Sequence, residues 1–142
     1  MNKYLQIKKA HQEELNNFPM VFAFSQKQFK EGMEKLGLTP DDTDKVCGIG
    51  GGGIIRKTDR NSLADMFERH KKEMQNAINS DDQFVFDMFN YELANYEYSY
   101  TGDVMDTLRA LDLTYEEVEA SPRLLTALNA ACNAQREEAQ YA

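Results

Sequence analysis

Five of the eight glycines in this chain fall within six residues, Gly48-Ile49-Gly50-Gly51-Gly52-Gly53. Glycine loses more backbone freedom on folding than any other residue, so a run of this density is costly to order. It belongs where the backbone must take positive φ, or where a second backbone or a ligand comes very close. Short apolar arms flank the run, Val46-Cys47 before it and Ile54-Ile55 followed by Arg56-Lys57 after it. Two short strands joined by a flexible hairpin are the simplest fold for that pattern. Several of Gly50 to Gly53 are then expected at positive φ.

Around the hairpin the pattern is helical. Residues 3–16 place Tyr4, Ile7, His11 and Leu15 at helical spacing, and Phe18-Pro19 breaks the run. Met20-Val21-Phe22-Ala23-Phe24 reads as a short buried strand. Ser25 with Gln28 forms a capping-box start for a helix reaching about Leu36, which Gly37 ends. Thr39-Pro40-Asp41-Asp42 reads as another helix start, with Thr at the cap, Pro in the first turn and acids at the positive dipole end. Ser62 with Asp65 opens a helix whose stripe is Leu63, Met66, Phe67, His70, Met74, Ala77 and Ile78. Ser80 with Gln83 opens the next, to about Tyr98, and its apolar residues cover more than one face, as in a central helix. A short helix starts at Thr101-Gly102-Asp103, another is capped by Thr114 with Glu117, and Ser121-Pro122 begins the last, with Leu124, Leu125, Leu128, Ala131 and Cys132 inward. The helix end Leu36-Gly37-Leu38-Thr39 is echoed by Leu111-Asp112-Leu113-Thr114, a common way to join two helices. The predicted fold is mainly α within the α+β class: a compact bundle of five to seven helices with a two- or three-stranded β element around the glycine loop.

A length of 142 residues suits a single domain over 1–142, with a core that needs neither disulfide nor metal. The longest apolar run, Met20 to Phe24, is too short to span a bilayer. The opening MNKYLQIKKAHQEE has no uninterrupted apolar core or small-residue cleavage site. Cys47 and Cys132 are read as reduced thiols, and the expected location is cytoplasmic.

The net charge of −8 is distributed unevenly. Residues 1–80 carry 13 Lys/Arg against 11 Asp/Glu, whereas residues 81–142 carry 3 Arg against 13 acids. Between 81 and 119 the acids Asp81, Asp82, Asp87, Glu92, Glu97, Asp103, Asp106, Asp112, Glu116, Glu117 and Glu119 face a single Arg109. Such a segment repels phosphate backbones and attracts basic surfaces. The plain alternative is a solvated acidic face that keeps the protein soluble. Residues 103–131 have the spacing of a trihelical DNA-binding unit. The last helix offers only Arg123, Asn129, Asn133, Gln135 and Arg136 behind that acidic segment, so direct DNA binding is not expected.

Catalytic patterns are thin. Gly48, Gly50 and Gly53 satisfy G-x-G-x-x-G literally, but the dinucleotide fingerprint requires a helix opening at the glycines, and here Ile54-Ile55-Arg56-Lys57 follows. A cradle in which glycine amides of Gly48, Gly50, Gly51, Gly52 and Gly53 hold a ligand phosphate beside Arg56 and Lys57 is the ligand-binding alternative. His11-x-x-Glu14 and His70-x-x-Glu73 set a carboxylate one turn from each imidazole, the reverse of the Glu-x-x-His order of bundle di-metal sites. No catalytic residue, cofactor or metal is assigned.

Phe18-Pro19-Met20, Phe22-Ala23-Phe24-Ser25, Gln28-Phe29, Glu31-Gly32-Met33, Leu36-Gly37-Leu38, the glycine run with Arg56-Lys57-Thr58-Asp59, and Tyr91-Glu92-Leu93 through Thr101-Gly102-Asp103 carry a family resemblance over residues 18–128. The chain resembles an uncharacterised family of small acidic proteins from Firmicutes genomes and their mobile elements. That resemblance brings no catalytic residues. It implies a context in which small acidic proteins inhibit host nucleases or restriction systems. The expectation is a non-enzymatic inhibitor of a nucleic-acid-targeting defence system, of anti-CRISPR or anti-restriction type. Its partner would be a protein with a basic surface, and no membrane is involved. The expected partner-binding residues are Asp81, Asp82, Asp87, Glu92, Glu97, Asp103, Asp106, Glu116 and Glu117, with Tyr91, Tyr96, Tyr98, Tyr100 and Tyr115 as anchors. A small-ligand domain built on the glycine loop, or a structural or regulatory protein, is the alternative.

Overall fold

Helix accounts for 71% of the structure, a computed structural model that describes residues 2–140, and the remainder includes one small antiparallel sheet. The order is α1 (Lys3–Asn16), β1 (Met20–Phe22), α2 (Gln26–Lys35), β2 (Val46–Gly50), β3 (Gly53–Arg56), α3 (Arg60–Ser80), α4 (Asp82–Asn95), α5 (Tyr98–Thr101), α6 (Met105–Ala110), α7 (Tyr115–Glu119) and α8 (Pro122–Gln140). Short 3-10 turns lie at Thr43–Lys45 and Lys57–Asp59. The mainly helical class with a β element around the glycines is therefore the fold that forms.

Two compact units can be distinguished, one of the described residues of Met1–Ala10 and Glu73–Ala142, the other of His11–Lys72. In the first, α4 packs along α8, and Phe84, Val85, Met88, Phe89 and Leu93 are buried with Leu108, Val118, Leu128, Ala131 and Cys132. The apolar residues of α4 cover more than one face because Tyr4, α6 and α8 all pack on it. In the second unit, Ile55, Leu63 and Met66 are buried with Leu15, Phe18, Met20 and Cys47 against them. The stripe expected over residues 62–79 is thus divided between clusters, since Met74, Ala77 and Ile78 belong to the first. Cys47 and Cys132 are free thiols.

The sheet has the order β1-β3-β2, with Met20 opposite Ile55 and Cys47 opposite the other side of Ile55. Ile55 is central and fully buried, as a β-branched residue on a covered face should be. The strand expected at 20–24 is shorter and is not buried. It is an edge strand that ends at Phe22, and Phe22 and Phe24 are 56% and 75% exposed. Gly32 of α2 packs against the Val21 side chain of this strand, where an added Cβ would stand 2.8 Å from Val21 Cγ2.

Local signals place most helix ends. Ser25 caps α2 by accepting from the Gln28 N–H at 3.2 Å, but the Gln28 side chain reaches back to the Phe24 N–H at 2.7 Å, one residue earlier than a capping box. The start expected at Thr39 yields only a turn. Asp42 accepts from the Thr39 N–H at 2.8 Å and from its hydroxyl at 3.0 Å, as a capping acid would, but a single 3-10 turn follows before β2. So short a helix would not repay its nucleation cost, and pairing with β3 captures Val46 instead. The starts of α3 and α4 also shift: α3 opens at Arg60, and Asp81 rather than Ser80 caps α4. The box at Thr114 and Glu117 forms as expected.

The echoed helix ends are the same structure. Leu38 N–H donates to Met33 O at 2.8 Å and Gly37 N–H to Glu34 O at 2.9 Å; Leu113 N–H donates to Leu108 O at 2.9 Å and Asp112 N–H to Arg109 O at 3.1 Å. Both are Schellman turns. The residue that turns left-handed is Gly37 in one (φ 76°) and Asp112 in the other (φ 57°). Asp112→Gly relieves that strain and should raise stability by about 0.5–1 kcal/mol, read as a higher urea midpoint. A lowered midpoint would contradict the assignment.

Candidate functional site

The acidic residues singled out in the sequence do not share one environment. Glu92 is the exception that the structure corrects: it lies on the inner face of α4 and is 4% exposed. Its carboxylate accepts from the Tyr4 hydroxyl at 3.0 Å and from Lys8 Nζ at 3.2 Å. Burial, followed by the neighbouring Glu92 charge, pushes the Tyr4 phenol well above its usual range. Lys8 Nζ also lies 5.1 Å from the centre of the Tyr91 ring. Glu92 is therefore a structural charge, unavailable to a partner.

The remaining acids are at or near the surface. Asp81 accepts from the Gln83 and Phe84 N–H groups at 3.0 and 3.2 Å and pairs with Lys3 at 3.3 Å. The Phe84 N–H foremost, and then Lys3, hold its carboxyl below the usual range. Asp82 pairs with Arg123 at 2.5 Å, and Asp106 with Arg109 at 3.1 Å. Asp87 accepts the Gln83 side-chain amide at 3.0 Å, and Asp103 accepts the Met105 N–H at 2.9 Å. Glu117 completes the box on α7, while Glu97 and Glu116 are exposed.

Aromatic and apolar side chains are interspersed among these charges. Tyr91, Tyr96, Tyr100 and Tyr115 are 37%, 39%, 89% and 41% exposed. Tyr98, expected with them, is instead buried, and its hydroxyl accepts from Arg136 at 2.8 Å. Met105 was not foreseen as part of the surface, yet it is 45% exposed on α6. It lines a groove of about 360 Å³ with Leu113, Tyr115, Asp112 and Glu116. A methionine beside two aspartates on a short predicted helix was the available signal.

The glycine hairpin has a defined turn geometry. Gly50, Gly51 and Gly52 have φ of 90°, 59° and 80°, and the ladder shifts register between Gly48 and Gly50. Gly51 and Gly52 are the two turn residues between the Gly50–Gly53 pair, both at positive φ as in a type I′ turn. The Phe24 ring lies against Gly52, and Ala23 N–H donates to Gly52 O at 3.0 Å. Arg56 is engaged elsewhere, with Asp59 at 2.8 Å and Leu36 O at 3.4 Å, while Lys57 is exposed in the following 3-10 turn.

The histidines come together in the second unit. The His11 and His70 rings stack at 3.8 Å with 11° between their planes. The carboxylate at His70 is Glu14 from α1, 2.8 Å from Nε2, and Glu14 also pairs with Arg69. Glu14, which the sequence sets one turn from His11, thus lies against the other imidazole, His70. No cluster of three or more His, Cys, Asp or Glu arranged for a metal occurs among the described residues.

No described helix is long and apolar enough to cross a membrane. No curated protein and no solved structure matches the chain. One family model does match, over residues 3–134, a longer span than the 18–128 that carry the resemblance in sequence. With most of its length covered by that model, the chain belongs to the Family of unknown function (DUF7659).

Proposed function

We propose that this chain is a non-enzymatic, cytoplasmic interaction protein whose acidic, tyrosine-bearing surface over residues 81–119 meets a basic protein partner. One observation carries the reading. Tyr91, Tyr96, Tyr100, Tyr115 and Met105 are exposed within a span that has one basic residue, Arg109, itself committed to Asp106. Aromatic anchors framed by like charge suit a complementary groove, because the charge steers encounter and the rings supply contact energy. The resemblance to proteins of mobile elements supports a particular partner: the nucleic-acid groove of a host defence protein, of CRISPR or restriction type. A groove shaped for phosphates is positive, and a negative surface can occupy it. The ligand-loop alternative has less support, since Arg56 is held by Asp59 and Leu36.

The test is affinity capture from host lysate with a triple variant, Asp87→Lys, Asp106→Lys and Glu116→Lys, which spares the caps Asp81 and Glu117. Wild type should retain its partner at about 0.15 M salt and lose it towards about 1 M, where screening acts within roughly 3 Å. The triple variant should lose it at both. A partner held equally by both proteins at both salt concentrations would refute the reading.

A further inference from the structure

We propose that the groove between α6 and α7 is an anchor site for a basic segment of a protein partner, taking an arginine or lysine side chain with an apolar neighbour. The proposal rests on the acidic-surface reading and assigns it a definite contact point. The walls are apolar: Met105 and Tyr115 are 45% and 41% exposed, and Leu113 is half-buried. The rim carries Asp112 and Glu116, both exposed. Arg109 also borders the groove, but with the Asp106 carboxylate 3.1 Å from its guanidinium the two add no net charge, and the rim stays acidic through Asp112 and Glu116.

The occupant follows from that division. Lysine and arginine bury an alkyl stem along apolar surface while the charged head stays at a polar rim. Met105 and Tyr115 accommodate the stem, the Tyr115 face attracts the cation, and Asp112 and Glu116 receive the head. A phosphate-bearing partner is repelled by the same rim. A volume of about 360 Å³ accommodates one or two side chains rather than a folded domain.

The groove is also preformed. Leu113 is held by the Schellman turn, its N–H 2.9 Å from Leu108 O. Tyr115 and Glu116 open α7 under the Thr114–Glu117 box, where Thr114 Oγ1 accepts from the Glu117 N–H at 3.1 Å. Walls fixed by backbone hydrogen bonds spare the ordering cost that a flexible loop would incur on binding.

The probe is a synthetic peptide of alternating arginine and leucine, with a glutamate-for-arginine counterpart as control. Each is titrated into the isotopically labelled full chain at low salt, with amide shifts followed by NMR. The arginine peptide should shift residues 105–117 foremost. Tyr115→Ala and Glu116→Lys should each weaken it by about fivefold or more, as truncation of a contributing interface residue does. Glu137→Lys on α8, an exposed position that does not line the groove, should leave it within about twofold. The backbone spectrum of each variant reports whether it folds, and Met105→Ala serves as a second groove variant. If Glu137→Lys weakens binding as much as Glu116→Lys, the groove assignment is wrong while the acidic-surface reading stands. If the arginine peptide causes no shifts, or its acidic counterpart binds as well, both are wrong.

Discussion

Replacing Lys8 with methionine should destabilise the protein more than neutralising its partner Glu92 with glutamine, although both changes break the same ion pair. The side chain of Glu92 is 5% exposed and that of Lys8 is 44% exposed. After Lys8→Met the carboxylate keeps the Tyr4 hydroxyl at 3.0 Å but remains buried without a counter-charge. Stranding one member of a buried pair costs about 3–5 kcal/mol; water reaches this pair from the Lys8 side, which lowers the expectation to about 2–4 kcal/mol. After Glu92→Gln the amide can still accept from Tyr4, and Lys8 turns to solvent. That loss should be about 1–2 kcal/mol, near the value of a charge-assisted hydrogen bond. Urea unfolding of the two variants checks the order. A larger loss for Glu92→Gln would mean that the carboxylate is better hydrated than its burial indicates.

Alanine substitutions within the glycine run should differ in effect, because the glycines are there for different reasons. Gly52→Ala should cost about 1–2 kcal/mol from its left-handed backbone alone, at φ 80°. The new Cβ would also stand 2.5 Å from Phe24 Cε1, so the ring must move away. Since Phe24 is 75% exposed, that movement is cheap, and strain dominates. Gly51→Asn should fall within about 0.5 kcal/mol of wild type, since asparagine tolerates φ near 59° at the first position of this turn. Gly48→Ala should be neutral or stabilise by up to about 1 kcal/mol: its φ is not positive, and the nearest atom to an added Cβ is Gly53 O at 3.9 Å. Chemical denaturation of the three variants gives the ranking. Equal effects at all three would show a flexible connector rather than a defined turn.

The legible parts of the fold were those decided within a few residues. The capping box at Thr114 and Glu117, the Schellman ends at Leu36 and Leu111 and the positive φ at Gly50 to Gly52 each depend on local backbone and one side chain. The misplaced parts depended on competition. Ser80 and Asp81 are both good caps, and the aspartate prevails with two N–H groups and Lys3 within reach. Thr39 and Asp42 make the contacts of a helix start, but the strand that follows claims the chain.

The sequence by itself determined the helical class, the hairpin and the sign of the charge over residues 81–119, because periodicity, turn chemistry and composition are local or additive properties. Only the tertiary structure decided which members of that charged and aromatic set face outward. Glu92 and Tyr98 look like their neighbours in the sequence, yet one is met inside by Tyr4 and Lys8, and the other packs into the core cluster with Leu128 and Cys132 while its hydroxyl meets Arg136, all distant in the chain. Phe22 and Phe24 read as core and end on an open sheet edge, because β3 takes the central position and no further strand pairs on the far side of β1 among the described residues. Burial is a property of the partner that arrives from elsewhere in the chain, and no window of local sequence contains it.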